Sequence, residues 1–134
     1  MAVRNISVLA LYNKDKEILL QHRDEDAKRL PNYWGFFGGG IEKGETPEAA
    51  LEREIFEELE YKVSKPVRVL VQKFNWKEDE NIKYVFVEEY DSSQPLIQHE
   101  GQGKSWRKFD DLGNLQMIDH DMLAIAEIRK FLGV

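Results

Sequence analysis

The sequence predicts an α/β (α+β) domain in which a mixed β-sheet is sandwiched between helices. Two observations predict this class: β-rich segments are mixed with two helical segments along 134 residues, and 42% apolar residues are enough to build a core. The length fits one domain, so we expect residues 1–134 to fold as a single unit. The chain has no cysteine, which excludes a disulfide scaffold, a thiolate zinc site and a cysteine nucleophile, and favours a reducing, cytoplasmic location.

The first part of the chain predicts a hairpin. The β-rich segments Ile6–Tyr12 and Glu17–Arg23 flank a turn-like stretch and predict its two strands. Residues 24–31 are polar and predict a loop. A short strand at Tyr33–Phe37 then runs into Gly38–Gly40, three glycines that no regular element favours.

The clearest helix is predicted from Pro47 to about Leu59. Thr46 is a favourable N-cap, and proline is favourable at the first helical position. Leu51, Ile55 and Leu59 recur at four-residue intervals, which predicts one apolar stripe that packs against the sheet.

The second half of the chain predicts three more strands and a last helix. The β-rich segments are Val67–Phe74, Ile82–Tyr90 and Ser105–Phe109, with an acidic turn at 77–80 between the first two. Asp119 is predicted to cap a helix at Asp121–Leu132, which Gly133 ends.

The net charge of −6 argues against a nucleic-acid polymer or an anionic membrane as the main partner. The longest apolar run, Ile6–Tyr12, is too short to span a bilayer. The charge excess is local, because eight acids stand against two bases between Glu42 and Glu60. Cations bound to this segment would stop it from repelling a small polyanion.

Three acidic residues of the predicted helix share one face. Glu54, Glu57 and Glu58 are spaced by three and four residues, and like charges about 5 Å apart repel by roughly 3 kcal/mol per pair at an effective dielectric near 20. A divalent cation with oxygen ligands would offset that repulsion. The alternative is a solvated acidic face, with Arg53 paired to Glu57 and Glu58 paired to Lys62.

The three glycines before the helix favour close backbone approach to a phosphate. A glycine-rich loop that leads into a helix N-terminus presents backbone N–H groups to an anion. Glycines are also common in plain turns, so Gly38–Gly40 alone do not distinguish a phosphate-binding loop from an ordinary turn.

Residues 39–61 closely resemble the Nudix box, G-x5-E-x7-R-E-U-x-E-E-x-G-U, in which U is a bulky apolar residue. The matching positions are Gly39, Glu45, Arg53, Glu54, Ile55, Glu57 and Glu58, with Tyr61 as a loose match to the last position. The order of strands and helices also resembles the Nudix fold over nearly the full chain.

Two positions depart from this family. Glu60 replaces the box glycine, and Phe37 stands where a proline often precedes the glycine pair. A glutamate at positive φ costs about 1 kcal/mol, so we expect a differently shaped helix end.

A second stretch resembles the MutT-type members of the family. Glu100-Gly101-Gln102, followed by Trp106 and Phe109–Leu112, is similar to the loop that supplies one more catalytic glutamate in those proteins. The alternative is an ordinary polar loop.

The resemblance implies a hydrolase that uses Mg²⁺ or Mn²⁺ to cleave a nucleoside diphosphate linked to another group. The implied metal ligands are the carboxylates of Glu54, Glu57, Glu58 and Glu100 and the carbonyl of Gly38. Glu54 would be a ligand or would orient the attacking water, and Glu100 would be a further ligand or the general base. An ion pair between Arg53 and Glu45 would aim the carboxylates.

Four residues are the candidates for contacts with substrate. Arg23 lies where a strand leaves for a loop and can reach phosphate, whereas Lys28 and Arg29 fit ordinary surface charge better. Trp34 can stack on a base, and Gly39 and Gly40 allow close backbone approach. The other aromatic candidates for stacking are Phe36, Phe74, Trp76 and Tyr84, most of which we expect in the core.

The three histidines, His22, His99 and His120, show no metal-ligand spacing. Asp119 and His120 nevertheless fall where some MutT-like proteins contact the edge of the base. The family's marker proline for ADP-ribose hydrolases is absent at Trp76-Lys77, and the marker tyrosine for dinucleoside polyphosphate hydrolases is absent at 78–80.

These observations favour a nucleoside triphosphate, with an intact or oxidised base, cut to monophosphate and pyrophosphate. A nucleotide-sugar hydrolase and a non-catalytic Nudix-fold module that senses a nucleotide are the alternatives. The lack of cysteine argues against the isopentenyl diphosphate isomerases built on the same fold, which use one in catalysis. We expect a small-molecule substrate and a monomer or homodimer.

Overall fold

A computed structural model describes residues 4–76 and 78–134. The elements in chain order are β1 (Ile6–Tyr12), β2 (Ile18–His22), β3 (Trp34–Gly35), β4 (Phe37–Gly40), α1 (Pro47–Leu59), β5 (Val67–Trp76), β6 (Asp79–Glu89), β7 (Gly103–Arg107) and α2 (Asp119–Leu132), with a 3-10 turn at Phe109–Asp111. The predicted hairpin and both predicted helices are present, and so are the strands predicted after α1, although the last ends at Arg107, before Phe109. The single strand predicted at Tyr33–Phe37 is wrong, because Phe36 separates β3 from β4.

The strands form one mixed sheet with β1 near its centre. The strand order is β3-β2-β1-β6-β5, while β4 pairs with β1 and β7 pairs with β2. β1 and β6 run parallel over Ile6–Tyr12, and the other pairs found in the described residues are antiparallel. The predicted mixed sheet is therefore confirmed.

Alternate side chains of β1 enter two separate cores. Leu9 and Leu11 pack on the α1 side, together with the predicted stripe of Leu51, Ile55 and Leu59, which is fully buried. Val8 and Ala10 face the opposite layer and pack with Ala124 and Ile128 of α2. The sheet is thus sandwiched between the two helices, as the alternation of apolar residues requires.

The three glycines form a regular strand, which corrects the expectation that they would avoid one. Val8 pairs with Gly38, Ser7 with Gly39 and Ile6 with Gly40 in an antiparallel ladder. At Gly38, where φ is 145°, a Cβ atom would lie 2.1 Å from the Ser7 carbonyl oxygen. Only glycine lets β4 approach β1 this closely.

The start of α2 also differs from the prediction. The N-cap residue is Ile118, which makes no side-chain cap, and Asp119 is the first helical residue. Asp119 and Asp121 lie in the first turn, where negative charge is favourable toward the helix dipole. Gly133 ends the helix in the left-handed conformation, as predicted.

The turn between β5 and β6 is shorter than the predicted acidic turn, because β6 already begins at Asp79. Lys77 lies outside the described residues. In the described part of the chain, none of the helices has the length and apolar character needed to cross a membrane.

The helix end at Glu60 keeps the left-handed conformation that the box glycine would supply. Glu60 has φ 52° and ψ 30°, and its N–H donates to the Phe56 carbonyl at 2.9 Å. The expectation of a differently shaped helix end is therefore wrong, because the chain accepts the strain of a non-glycine residue here.

Candidate functional site

A cleft of about 220 Å³ opens beside the glycine strand. Its wall combines Gly38, Gly39 and Glu100 with five aromatic residues and several charged ones. The aromatic residues are Tyr33, Trp34, Phe36, Phe74 and Trp76, and the remaining charged or titratable ones are Arg4, Arg23, Arg29, Lys83, His120 and Asp121.

Arg53 connects α1 to the loop before it and to β4. Its Nε and Nη2 donate to the two carboxylate oxygens of Glu45, each at 2.8 Å, and Nη2 also donates to the Gly40 carbonyl at 2.9 Å. This bidentate pair, which the box resemblance implied, lowers the pKa of Glu45 to about 2. Nη1 of Arg53 lies 2.9 Å from Glu54 Oε1 and 3.6 Å from Glu57 Oε1.

Glu58 is the buried member of the acidic face. Its side chain accepts one bond, from the Gly38 N–H to Oε1 at 3.1 Å, while Oε2 is buried without a partner. Burial, followed by the negative charges of Glu100 and Glu54, raises the pKa of Glu58 to about 9. A cation bound at this carboxyl group would oppose both effects.

Glu54 rests directly on the glycine strand. A Cβ atom built at Gly39 would lie 2.4 Å from Glu54 Oε2, so the missing side chain makes room for this carboxylate. Gly40 plays a different part: its carbonyl is held by Arg53, and a Cβ there would meet Arg4 Nε at 2.5 Å. Gly39 lies in the wall of the cleft and Gly40 does not.

Glu100 reaches the same region from the loop before β7. Its backbone carbonyl accepts bonds from Gln21 Nε2 at 3.0 Å and from Gln98 Nε2 at 2.8 Å. Burial raises the pKa of the Glu100 carboxyl, and Arg23 acts against that shift while Glu54 adds to it. The fold thus brings Glu54, Glu58 and Glu100 together, although they are far apart in sequence.

Glu57, by contrast, is largely exposed, with 58% of its side chain accessible. It lies on the same face of α1 and is more exposed than its neighbour Arg53. The three predicted carboxylates of α1 therefore differ in environment. Glu58 is buried, Glu54 rests on the glycine strand and Glu57 faces water.

The oxygen donors in this region fit a hard divalent cation. Over residues 4–76 and 78–134 no three acidic, histidine or cysteine side chains are already gathered closely enough to chelate a metal. The unpartnered Oε2 of Glu58 and the mutual repulsion of the carboxylates are what a Mg²⁺ or Mn²⁺ ion would relieve.

Trp34 lines the cleft with one ring face already covered. Its ring stacks on His22 with centroids 4.4 Å apart and planes 1° from parallel. Arg107 lies 5.5 Å from the Trp34 ring centroid.

Three arginines bring positive charge to the cleft: Arg4, Arg23 and Arg29. The sequence singled out Arg23, whereas the interpretation of Arg29 as ordinary surface charge is wrong, because Arg29 lines the cleft. Among the described residues, neither Arg4, Arg23 nor Arg29 is ion-paired with a carboxylate. Arg23 Nε donates to the Arg29 carbonyl at 2.9 Å, and the Arg29 guanidinium lies 4.4 Å from the Trp76 ring centroid. Burial and the charges of Arg4 and Arg23 lower the pKa of Arg29, so an anion would stabilise this group.

Lys83 and Asp121 form a buried ion pair that sequence reasoning missed. Lys83 has no exposed surface, and its Nζ lies 2.5 Å from Asp121 Oδ1 and 2.6 Å from His120 Nδ1. Burial lowers the pKa of Lys83, and the attraction of Asp121 opposes that shift. The sequence signal was a lysine that interrupts the apolar strand β6.

Burial and the contact with Lys83 both favour the neutral form of His120. Burial and then the charge of Lys83 lower the pKa of this ring. Because Nδ1 accepts from the ammonium group, the proton of the ring is assigned to Nε2. The ring also stacks on Phe74 with centroids 4.3 Å apart.

Comparison with known proteins gives one family. The NUDIX domain profile matches residues 1–127. An uncharacterised Nudix hydrolase of Listeria monocytogenes is 40% identical over 52 residues, which cover 38% of this chain and 31% of that protein. An RNA pyrophosphohydrolase of Yersinia enterocolitica is 51% identical over 43 residues, which cover 32% of this chain and 24% of that protein. The chain thus spans less than a third of the length of these relatives.

Solved structures share the fold over nearly the whole chain. The MutT NUDIX hydrolase of Burkholderia pseudomallei superposes with a TM-score of 0.81 at 22% identity, over 96% of this chain and 99% of that one. The NUDIX domain of Shewanella oneidensis NrtR, solved in complex with ADP ribose, gives 0.81 at 16% identity, over 98% of this chain and 90% of that one. At these identities the likeness concerns the fold.

Proposed function

The chain belongs to the NUDIX domain family, and from that premise we propose that it is a metal-dependent pyrophosphohydrolase acting on a nucleoside triphosphate. The reaction would be attack of water on phosphorus, with release of a nucleoside monophosphate and pyrophosphate. The observation that carries the proposal is the buried, unpartnered oxygen of Glu58 beside Glu54 and Glu100. A carboxyl group with a strongly raised pKa in a cleft is typical of a functional site.

The residues proposed to hold Mg²⁺ or Mn²⁺ are Glu54, Glu57, Glu58, Glu100 and the carbonyl of Gly38. A bound ion of this kind lowers the pKa of water and neutralises phosphate charge.

Among the carboxylates, Glu54 and Glu100 are the candidates to orient the attacking water and accept its proton. Glu100 lines the cleft, and Glu54 rests on Gly39 in its wall. The pKa of Glu100 is raised, which improves a carboxylate as a general base. Arg53 is proposed as a positioning residue. Its bonds to Glu45 and to the Gly40 carbonyl fix its guanidinium group, which in turn donates to Glu54 beside Gly39.

Arg4, Arg23 and Arg29 are proposed to bind the phosphate groups. They line the same cleft as Gly39 and Glu100, and none has a carboxylate partner among the described residues. Guanidinium groups are well suited to bidentate contact with phosphate. A substrate with several phosphates would relieve the repulsion among these three charges.

The nucleobase is proposed to bind near Lys83, His120 and Asp121. The neutral His120 offers Nε2–H as a donor, and Asp121 keeps Oδ2 as an acceptor after Oδ1 pairs with Lys83. Trp34, Phe74 and Trp76 line the same cleft and can contact a base through their rings.

We propose a small nucleotide as the partner, not a nucleic-acid polymer or a membrane, because the net charge is −6 and the cleft holds about 220 Å³. We also propose a cytoplasmic location, because the chain has no cysteine to form the disulfides that are typical of oxidising compartments. A monomer or homodimer is part of the same proposal.

A substrate panel with separate detection of phosphate and pyrophosphate tests the proposal. The panel contains nucleoside triphosphates with intact and oxidised bases, nucleotide sugars, ADP-ribose, a dinucleoside tetraphosphate and 5′-triphosphorylated RNA, each with Mg²⁺ and with Mn²⁺. We expect pyrophosphate from a nucleoside triphosphate and none from the variant Glu58→Gln. If a nucleotide sugar or RNA were cleaved in preference, the proposed substrate would be wrong. If nucleotides bound but none was cleaved, the chain would be a nucleotide-sensing module and not a hydrolase.

A further inference from the structure

The loop that carries Glu100 is attached to the end of helix α1. Its Ile97 N–H donates to the Leu59 carbonyl at 3.0 Å, and the His99 N–H donates to the Glu58 carbonyl at 2.8 Å. A third contact joins side chains, since His99 Nε2 lies 2.5 Å from Glu60 Oε2. The residue at the position of the box glycine therefore touches the neighbour of Glu100.

The two backbone bonds do not need a glutamate at position 60. The last carbonyls of a helix lack partners within the helix, and the left-handed residue turns the chain so that the loop can supply them. Glycine adopts that conformation without strain, whereas Glu60 holds it at φ 52°. What the glutamate adds is its contact with His99.

Two side-chain amides also hold the loop, at Glu100 itself. Gln21 Nε2 and Gln98 Nε2 both donate to the Glu100 backbone carbonyl, at 3.0 and 2.8 Å. These side-chain bonds fix the Glu100 carbonyl, whereas the side chain of His99 is held by Glu60.

We propose that Glu60 and His99 form a latch that positions Glu100 against Glu58. The inference rests on the proposed hydrolase function for its effect on turnover. Glu60 and His99 are positioning residues, because both lie partly exposed outside the cleft and act through Glu100.

The variant Glu60→Gly tests the latch, because it keeps the left-handed backbone and removes only the side chain. We expect the melting temperature to rise by about 2–5 °C as the strain is relieved. We also expect kcat to fall on the order of 10-fold with KM nearly unchanged, as when a residue that supports a catalytic group is lost. Glu60→Gln, which keeps an oxygen acceptor for His99, should restore most of kcat.

A matched control exists in the turn between β1 and β2. Lys16 is another non-glycine residue at positive φ, 60°, and does not line the cleft. Lys16→Gly should raise the melting temperature in a similar way and leave kcat unchanged. Loss of kcat in both variants would overturn the latch, as would wild-type kcat in Glu60→Gly.

A double variant and amide exchange separate the latch from the proposed function. His99→Ala should lower kcat as much as Glu60→Gly, and the pair should lose no more than either alone; multiplied losses would overturn the inference. Amide hydrogen exchange over residues 97–102 should quicken in Glu60→Gly relative to Lys16→Gly, whether or not the wild-type chain hydrolyses nucleotides. Unchanged exchange would overturn the latch, while absence of wild-type hydrolysis would overturn only the proposed function.

Discussion

Lys83 Nζ lies 2.5 Å from Asp121 Oδ1 at the wall of the cleft, and the lysine has no exposed surface. The pair joins β6 of the sheet to the first turn of α2. A buried charge loses its hydration, and the attraction of a close partner offsets that loss. Removing either partner therefore leaves the other charge buried without compensation, which destabilises the folded state.

We expect Lys83→Met to lower the free energy of unfolding by about 3 kcal/mol, because Asp121 would then be left without its partner. Urea unfolding measures this value. In Lys83→Met/Asp121→Asn the total loss should be smaller than the sum of the two single losses. Lys130→Met is the control, since Lys130 pairs with Glu127 on the surface and should change stability by less than about 1 kcal/mol. Additive losses would contradict an ion pair.

Gly39 makes room for the Glu54 carboxylate, and Gly39→Ala should displace that group. The added Cβ would lie 2.4 Å from Glu54 Oε2, at the flexible end of the side chain, so stability should change by only about 1 kcal/mol. Hydrolysis should fall roughly 10- to 100-fold, because Glu54 would leave its place beside the cleft. Gly113→Ala is the control, since a Cβ there meets nothing within 4 Å. Equal activity of the two variants would contradict a role for Glu54.

Helix α1 could be predicted from the sequence because its signals are local. The N-cap Thr46, the proline after it and the stripe of Leu51, Ile55 and Leu59 all lie within the helix or next to it. The acidic face followed from the same spacing. Its division into a buried Glu58 and an exposed Glu57 did not, because that depends on how β4 packs against the helix.

Contacts between distant parts of the chain were not predictable. Gly38–Gly40 pair with β1, which leaves no room for a side chain at Gly38, and the sequence does not show which strand will lie alongside. Lys83 and Asp121 are 38 residues apart, and nothing in the sequence pairs them. Glu60 was expected to change the helix end, but the loop at 97–100 holds the same geometry in place.

We expect Mg²⁺ to raise the melting temperature of the wild-type chain. A cation that binds only the folded state stabilises it by mass action, by about 2.7 kcal/mol at a concentration 100 times Kd. The repelling carboxyl groups of Glu54, Glu58 and Glu100 are the proposed site. Glu58→Gln keeps an acceptor for the Gly38 N–H, so it should fold but lose most of the shift. Thermal unfolding of each protein at millimolar Mg²⁺ and in EDTA measures the change in melting temperature that the cation causes. An equal change in the wild type and in Glu58→Gln would show that the cation binds at another site.

The Glu45–Arg53 pair predicts a particular acid dependence of stability. The two 2.8 Å bonds from Arg53 lower the pKa of Glu45 from about 4.5 to about 2. A carboxyl group whose pKa falls on folding stabilises the fold fully above the unfolded value, and this stabilisation is lost as pH falls toward the folded value. The melting temperature of wild type should therefore exceed that of Glu45→Gln by a constant amount above pH 5.5, and the difference should shrink between pH 4.5 and 2.

Melting curves of the two proteins in parallel buffers test this dependence, since groups other than Glu45 titrate in both and cancel in the difference. Arg53 stays charged over this whole range, because Glu45 and Glu54 raise its pKa further above the ordinary value. Only protonation of Glu45 can then weaken the pair. A difference that stayed constant down to pH 2.5 would mean that the charge of Glu45 adds nothing to stability, and that the other contacts of Arg53, such as those with Gly40 and Glu54, hold it in place.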